Sequence, residues 1–419
     1  MSLVGSGLTG FALGVWTYQR TGSATQLSLI AICTRLPGLI VSPIAGALVD
    51  RWDRRLVMIF SDVGSGISIL SMALALIGGH LYLWHICLAL SVNSIISAFQ
   101  WPAYTAATTL LIPKRHFGRA SGLVNTAEAL SQLISPVLGG VLVIAIGIHG
   151  VFLIDFASFI FSVATLTAVK IPSPERSQPI SEKPSLLRES AYGWSYLTSR
   201  PGLLGLLVFF ALTNFFSGFS TVLTTPLVLS FASASVLGAV LSFGGIGFLA
   251  GSVLMSAWGG PGAKISGVFV FQILCGFCFI LAGYKPSAAL IGAGAFLFFF
   301  FRPIVGGCSQ AIWQSKIAPD VQGRVFAVRR MVAWSTLPLS YVVAGPLADY
   351  VFNPLLRPGG ALASSAGRLI GVGPGRGIGL LFVLIGAFTL LMVGAGYLNP
   401  RLRLLEKELP DAVADAPSI

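Results

Sequence analysis

The chain has 419 residues, of which 55% are hydrophobic and only 10% charged, with 49 glycines and 29 phenylalanines, and its mean hydropathy is +0.86. Soluble domains of this length carry far more charge, so the composition excludes a soluble fold and assigns the chain to the membrane. The formal charge of +12 does not point to nucleic acid, because Lys and Arg sit in short clusters between apolar runs without forming a continuous basic face.

Crossing a hydrocarbon core of about 30 Å takes roughly 20 apolar residues of helix. Apolar runs bounded by Gly, Pro and charge predict about twelve such spans, at 1–19, 25–47, 56–78, 83–110, 120–146, 150–169, 203–229, 234–258, 265–283, 288–314, 324–349 and 377–398. The first is short at its start and has no basic residue before Arg20, so it lacks the positive region of a signal peptide. A natural start upstream of Met1, completing the first helix, is the expectation. Mass spectrometry of the native N-terminus checks it, and a mature chain beginning at Met1 rejects it.

Between the second and third spans, GALVDRWDRR at 46–55 places Asp50, Arg51, Asp53, Arg54 and Arg55 between two apolar runs. This is a charged hairpin at a membrane face. Gly46 permits close helix approach, Asp50 suits the positive N-terminus of another helix, and the arginines suit carboxylates or phosphates. In the fifth span, SPVLGG at 135–140 combines a bend at Pro136 with close packing at Gly139 and Gly140. Residues 170–200 break the apolar pattern with prolines and charges, with a short amphipathic helix predicted after Pro184. The domain reading is an N-terminal six-helix half at 1–169, a linker at 170–202, a C-terminal six-helix half at 203–398 and a tail at 399–419. PKRHFGRA at 113–120 and PDVQGRVF at 319–326 open corresponding spans, with Arg119 and Arg324 205 residues apart, as a duplicated unit predicts. With the N-terminus inside, 17 Lys and Arg fall on the inner segments and five, Arg20, Lys285, Arg357, Arg368 and Arg376, on the outer ones. The positive-inside rule then puts both termini in the cytoplasm.

Ionisable groups within spans are costly and point to function. Glu128 lies about eight residues into the fifth span, roughly 12 Å deep at 1.5 Å per residue, where a carboxyl is suited to carry a proton; a structural pairing is the competing role. Arg35 and Arg302 fall near mid-bilayer and invite an anionic partner, either Glu128 or a substrate carboxylate, phosphate or catecholate. Arg302 just precedes a predicted kink at Pro303. Asp62 and Asp155, nearer the interfaces, read as locally paired, and Arg329 and Arg330 as snorkelling. Gln100, with Trp101, stands in the fourth span, where it serves either the cavity or helix packing. GSGLTG at 5–10 has the spacing of a nucleotide fingerprint but follows no strand. Cys275 and Cys278 lack a second ligand pair and the four histidines lack metal-ligand spacing. No cofactor, metal, ATPase domain or enzymatic constellation is expected.

Twelve spans in two halves with that charged hairpin resemble the major facilitator superfamily. GALVDRWDRR matches its loop signature G-x-x-x-D-R-x-x-R-R at Gly46, Asp50, Arg51, Arg54 and Arg55, and the resemblance implies a cytoplasmic gate in which Asp50 locks against the start of span 11 at Gln322, Gly323 and Arg324. SPVLGG is similar to the antiporter signature G-P-x-x-G-G, with Ser135 in place of the first glycine, which favours export. TGSATQLSL, LPGLIVSPIAG, AFQWPAYTAA, LIDFASF and QGRVFAVRR into GPLAD resemble the macrolide-efflux and enterobactin-exporter group over nearly the whole chain. Departures are the short start, GGPGAK after span 8 in place of a second charged loop, and no arginine in span 4. The resemblance implies an all-α polytopic protein of the cell membrane, usually a monomer, that exports an amphiphilic molecule by alternating access in exchange for protons. A uniporter or lipid flippase of the same fold, and a non-transporting scaffold or sensor, are the alternatives. Macrolide, siderophore, peptide and lipid-like cargo all remain open.

Overall fold

The computed structural model describes residues 2–49, 52–111, 117–168 and 186–412. In chain order the long helices are α1 (Ser2–Thr21), α2 (Ala24–Val49), α3 (Arg54–Ile77), α4 (Leu83–Leu111), α5 (Phe117–Ala145) and α6 (Gly147–Ala168). A short α7 (Leu186–Thr198) follows, then α8 (Pro201–Leu229), α9 (Ala234–Trp258), α10 (Lys264–Tyr284), α11 (Ala288–Lys316) and α12 (Pro319–Pro346). A π-helical stretch, Leu347–Phe352, continues α12, and the chain ends through α13 (Asn353–Leu355), α14 (Ala366–Ile370), α15 (Arg376–Leu398), α16 (Pro400–Arg403) and α17 (Leu405–Glu408). No strand occurs among the described residues. Among the described residues ten helices are long and apolar enough to cross a membrane, and α1 and α5 are the remaining two of 20 residues or more.

The apolar runs coincide with these helices to within several residues. The largest offset is at α12, which starts at Pro319 where hydropathy placed the start at 324. Asp320, Gln322 and Arg324 interrupt the apolar pattern without interrupting helical backbone. The amphipathic segment expected after Pro184 is α7.

On α3 the apolar side turns outward. Phe60, Ile67 and Leu74 are 70%, 60% and 61% exposed, while Ser61, Asp62, Ser65 and Ser68 are buried. That arrangement is the one hydrocarbon requires, with polar groups satisfied against protein and aliphatic groups facing lipid.

The chain divides into two compact units. The first comprises Met1–Gln178, Val222–Ser242 and Ala344–Asp349. In it α1 packs on α5 and α6, α3 on α4 and α6, and α2 on α4, around a core of Leu8, Leu13, Ile69, Met72, Ile86 and Phe152. The second comprises Pro179–Thr221, Phe243–Val343 and Tyr350–Ile419. There α10 packs on α11 and α15, and the core includes Leu206, Phe209, Val268, Ile304, Ile312 and Trp313. The tail belongs to this second core. Glu406 accepts from the free backbone N–H groups of Lys264 and Ile265 at the start of α10, at 3.1 and 2.9 Å. Lys316, only 6% exposed, donates to the carbonyls of Glu406 and Leu409 at 2.8 and 2.5 Å and pairs with Asp411 at 2.9 Å.

Candidate functional site

The charged hairpin after α2 distributes its residues over several helix ends. Asp53 is the N-cap of α3, its carboxylate accepting from the backbone N–H groups of Arg55 and Leu56 at 2.9 and 3.1 Å. Arg55 turns to the end of α6 and donates to the carbonyls of Leu166 and Thr167 at 3.0 and 2.5 Å, where a cation also complements the helix dipole. Trp52 stacks on Phe99 of α4 with centroids 6.1 Å apart. Arg54 is half-buried at the first position of α3. Gly46 lies on the last turns of α2 and Gly323 and Arg324 on the first turns of α12. Asp50 and Arg51, and the side chain of Arg324, lie outside the described residues.

On α5 the SPVLGG segment meets two neighbours at backbone distance. A Cβ on Gly140 would stand 3.0 Å from the Ala234 carbonyl oxygen and 3.1 Å from the Ser235 Cα, and one on Gly238 of α9 would run into the Pro136 carbonyl oxygen. Glycine is required on both sides of this α5–α9 contact. Pro136 has no N–H to offer the carbonyl of residue 132, and one residue further along, the Leu133 carbonyl accepts from the Ser242 hydroxyl at 2.9 Å. Gly139 faces α1, where a Cβ would approach Phe11 to 2.7 Å. Ser135, standing where the signature has glycine, donates to the Val4 carbonyl of α1 at 3.2 Å, and Ser131 one turn earlier donates to Leu3 at 2.8 Å. Thus the departure from the motif ties α5 to α1. Glu128 lies on the same helix, one turn before Ser131; its side chain is outside the described residues.

Two carboxyl groups are enclosed among the first six helices. Asp155 of α6 is 0% exposed and accepts from the Thr9 hydroxyl of α1 at 2.6 Å, with the Ser158 hydroxyl 3.4 Å from its other oxygen. Asp62 of α3 is 1% exposed and accepts from the Gln100 amide of α4 at 2.6 Å and the Ser162 hydroxyl of α6 at 2.5 Å. Gln100 therefore joins α4 to α3 through Asp62. Arg35 of α2 is exposed and forms no ion pair among the described residues.

In the second unit, Arg302 of α11 reaches α8. Its guanidinium donates to the Ser217 hydroxyl at 2.6 Å and to the Asn214 side-chain oxygen at 3.1 Å, and lies 5.9 Å from the Phe298 ring centroid. Asn214 in turn donates to the Ala333 carbonyl of α12 at 3.0 Å. Among the described residues Arg302 has no carboxylate partner, so its charge is hydrogen-bonded but not neutralised. Arg329 of α12 turns into the unit, 2.9 Å from the Gln310 side-chain oxygen and 4.9 Å from the Trp313 ring centroid, whereas Arg330 is exposed over Trp334. Three groups escaped sequence reasoning. They are Lys316 with its tail partners, Arg376, which holds the Gly283 and Tyr284 carbonyls at 2.9 and 3.0 Å, and Asp349. Each sits at a helix end, where charge looks like ordinary anchoring.

The helical architecture of the described residues and the α5–α9 glycine contact accompany a match between residues 1–340 and the Major Facilitator Superfamily. The chain belongs to that superfamily. It is a membrane transporter related to macrolide efflux protein A of Streptococcus pyogenes, 26% identical over 380 residues that cover 84% of this chain and 87% of the relative. The multidrug efflux pump Tap of Mycolicibacterium fortuitum is 26% identical over 357 residues, covering 82% and 86%. Among solved structures, an inward-facing, unoccupied bacterial homologue of the human lysosomal transporter Spinster superposes with a TM-score of 0.73 at 15% identity, covering 99% of this chain and 96% of that one. The nucleoside transporter NupG gives 0.68 at 11% identity, covering 97% of each chain. At such identities these structures share the fold.

Proposed function

We propose that the protein exports an amphiphilic organic molecule, of the drug, macrolide, siderophore or secondary-metabolite kind, in exchange for protons. The transporter works by alternating access, as a monomer in the cell membrane with both termini in the cytoplasm. The observation that carries this reading is the α5–α9 contact, where Gly140, Gly238 and the bend at Pro136 bring two membrane helices to backbone distance in an antiporter-like segment. The efflux proteins to which the chain is similar along most of its length support the direction of transport.

Glu128 is the proposed proton carrier, since a carboxyl at that depth is costly as an anion and is reset by binding a proton. Arg302 and Arg35 are the proposed substrate or gating cations, favouring cargo rich in acceptor oxygens. Gln100 belongs with them through its hold on Asp62. Gly46, Asp50, Arg51, Arg54 and Arg55 with Gly323 and Arg324 form the proposed cytoplasmic gate. Cells expressing the protein and loaded with a labelled macrolide should retain less of it than control cells, and a protonophore should abolish the difference. Export that survives a collapsed proton gradient would instead identify a uniporter.

A further inference from the structure

α2 begins just after a turn at Gly22, whose φ of +62° suits glycine. The first N–H groups of a helix have no partner within it. Here they are met by a residue more than 320 positions away. Oδ1 of Asp349 accepts from the Ala24 N–H at 3.2 Å. Oδ2 accepts from the Thr25 N–H at 2.8 Å, the Thr25 hydroxyl at 2.8 Å and the Ser23 hydroxyl at 2.7 Å. Both carboxylate oxygens are thus committed to the start of α2, where the helix dipole also favours a negative charge.

The approach is built into α12 as well. One turn before Asp349, a Cβ on Gly345 would lie 2.6 Å from the Thr25 Cα and 2.7 Å from the Ala24 carbonyl oxygen, and would also strike the Ser28 hydroxyl. Asp349 itself sits in the π-helical stretch that follows α12, a geometry that re-aims side chains and recurs at functional positions. Among the described residues every donor to the carboxylate is a backbone N–H or a hydroxyl, with no Lys or Arg among them. Such a contact holds by geometry and dipole, and it can be released without leaving an unpaired cation. Ser28, covered beneath it, is only 2% exposed and its hydroxyl has no partner among the described residues.

We propose that Asp349 is a positioning residue for transport, a latch that caps the N-terminus of α2 in one transport conformation and lets go in the other. The pairing is reciprocal in sequence. Asp50 directly follows the last residue of α2, and in the proposed cytoplasmic gate it faces the start of α12; Asp349 closely follows the last α-helical residue of α12 and caps the start of α2. Each helix carries the carboxylate for the other's N-terminus, at opposite membrane faces on the proposed orientation. The two caps are engaged in alternation.

The latch rests on the alternating-access reading, and its labelling arm is read without a substrate. In a background with the five native cysteines replaced, Ser28→Cys should react slowly with a membrane-impermeant maleimide applied from outside, and Asp349→Asn should raise that rate by about tenfold, with Asp349→Glu restoring part of the protection. A Ser23→Cys, Asp349→Cys pair should cross-link on mild oxidation, stop efflux of a labelled macrolide, and on reduction return only to the rate of the same pair before oxidation. Unchanged labelling in Asp349→Asn protein that elutes as a folded species, or full transport by the cross-linked protein, overturns the latch. Labelling that responds as expected while no macrolide moves keeps the latch and rejects the cargo assignment alone.

Discussion

Arg302, a cation inside a membrane-spanning helix with no carboxylate partner among the described residues, is held by a serine and an asparagine of α8. Removing it has two opposing effects on stability. The Asn214 side-chain oxygen loses a donor, a cost of about 1–3 kcal/mol, while a desolvated charge disappears, which offsets that cost. Ser217 still has the Thr213 carbonyl as partner at 2.8 Å. Arg302→Met should therefore melt within a few degrees of the wild type, yet transport carboxylate- or phosphate-bearing amphiphiles at least about tenfold more slowly, with a smaller loss for neutral ones. Equal losses for both classes, measured as initial rates in proteoliposomes, would count against a charge-recognition role. The enclosed Asp62 and Asp155 contrast with Arg302, because hydroxyl and amide groups on neighbouring helices satisfy them locally. Their pairing follows the expectation for ionisable residues nearer the membrane interfaces.

At the scale of helices, the α5–α9 contact is the element on which the exporter reading depends most. Gly238 has no room for a side chain because the Pro136 carbonyl oxygen occupies the position of its Cβ. Gly238→Ala should push the helices apart and destabilise the detergent-solubilised protein by roughly 1–3 kcal/mol, visible as a lowered melting temperature and reduced transport. A variant with wild-type melting and transport would show that close approach at this point is dispensable. Gly10 on α1, which has nothing within 4 Å of its Cβ position, provides the control, since Gly10→Ala should be tolerated.

Across the whole molecule, what could be read from sequence was whatever depends on local pattern. Apolar run length located the long helices because hydrocarbon thickness dictates it. The hairpin charges marked a membrane face, and SPVLGG marked a bent, closely packed helix. Partnerships between distant positions were illegible. Ser135 looked like a defect in a glycine motif until Val4 stood opposite it. Gln100 read equally as cavity or helix-packing residue until Asp62 accepted its amide. Asp349 ended an apolar run and resembled an ordinary loop residue, because nothing in its own neighbourhood signals a helix start 326 residues earlier. The tail at 399–419 likewise showed no partner in sequence, although Glu406 and the carbonyls around it complete both the start of α10 and the surroundings of Lys316.

The central claim is export driven by proton exchange with Glu128 as the carrier. It is tested most directly in acidified inverted vesicles by following proton release on addition of macrolides and related amphiphiles, with wild type beside Glu128→Gln. The account predicts compound-dependent proton release by the wild type and none by the variant. Macrolide flux through the wild-type protein without proton release would contradict it.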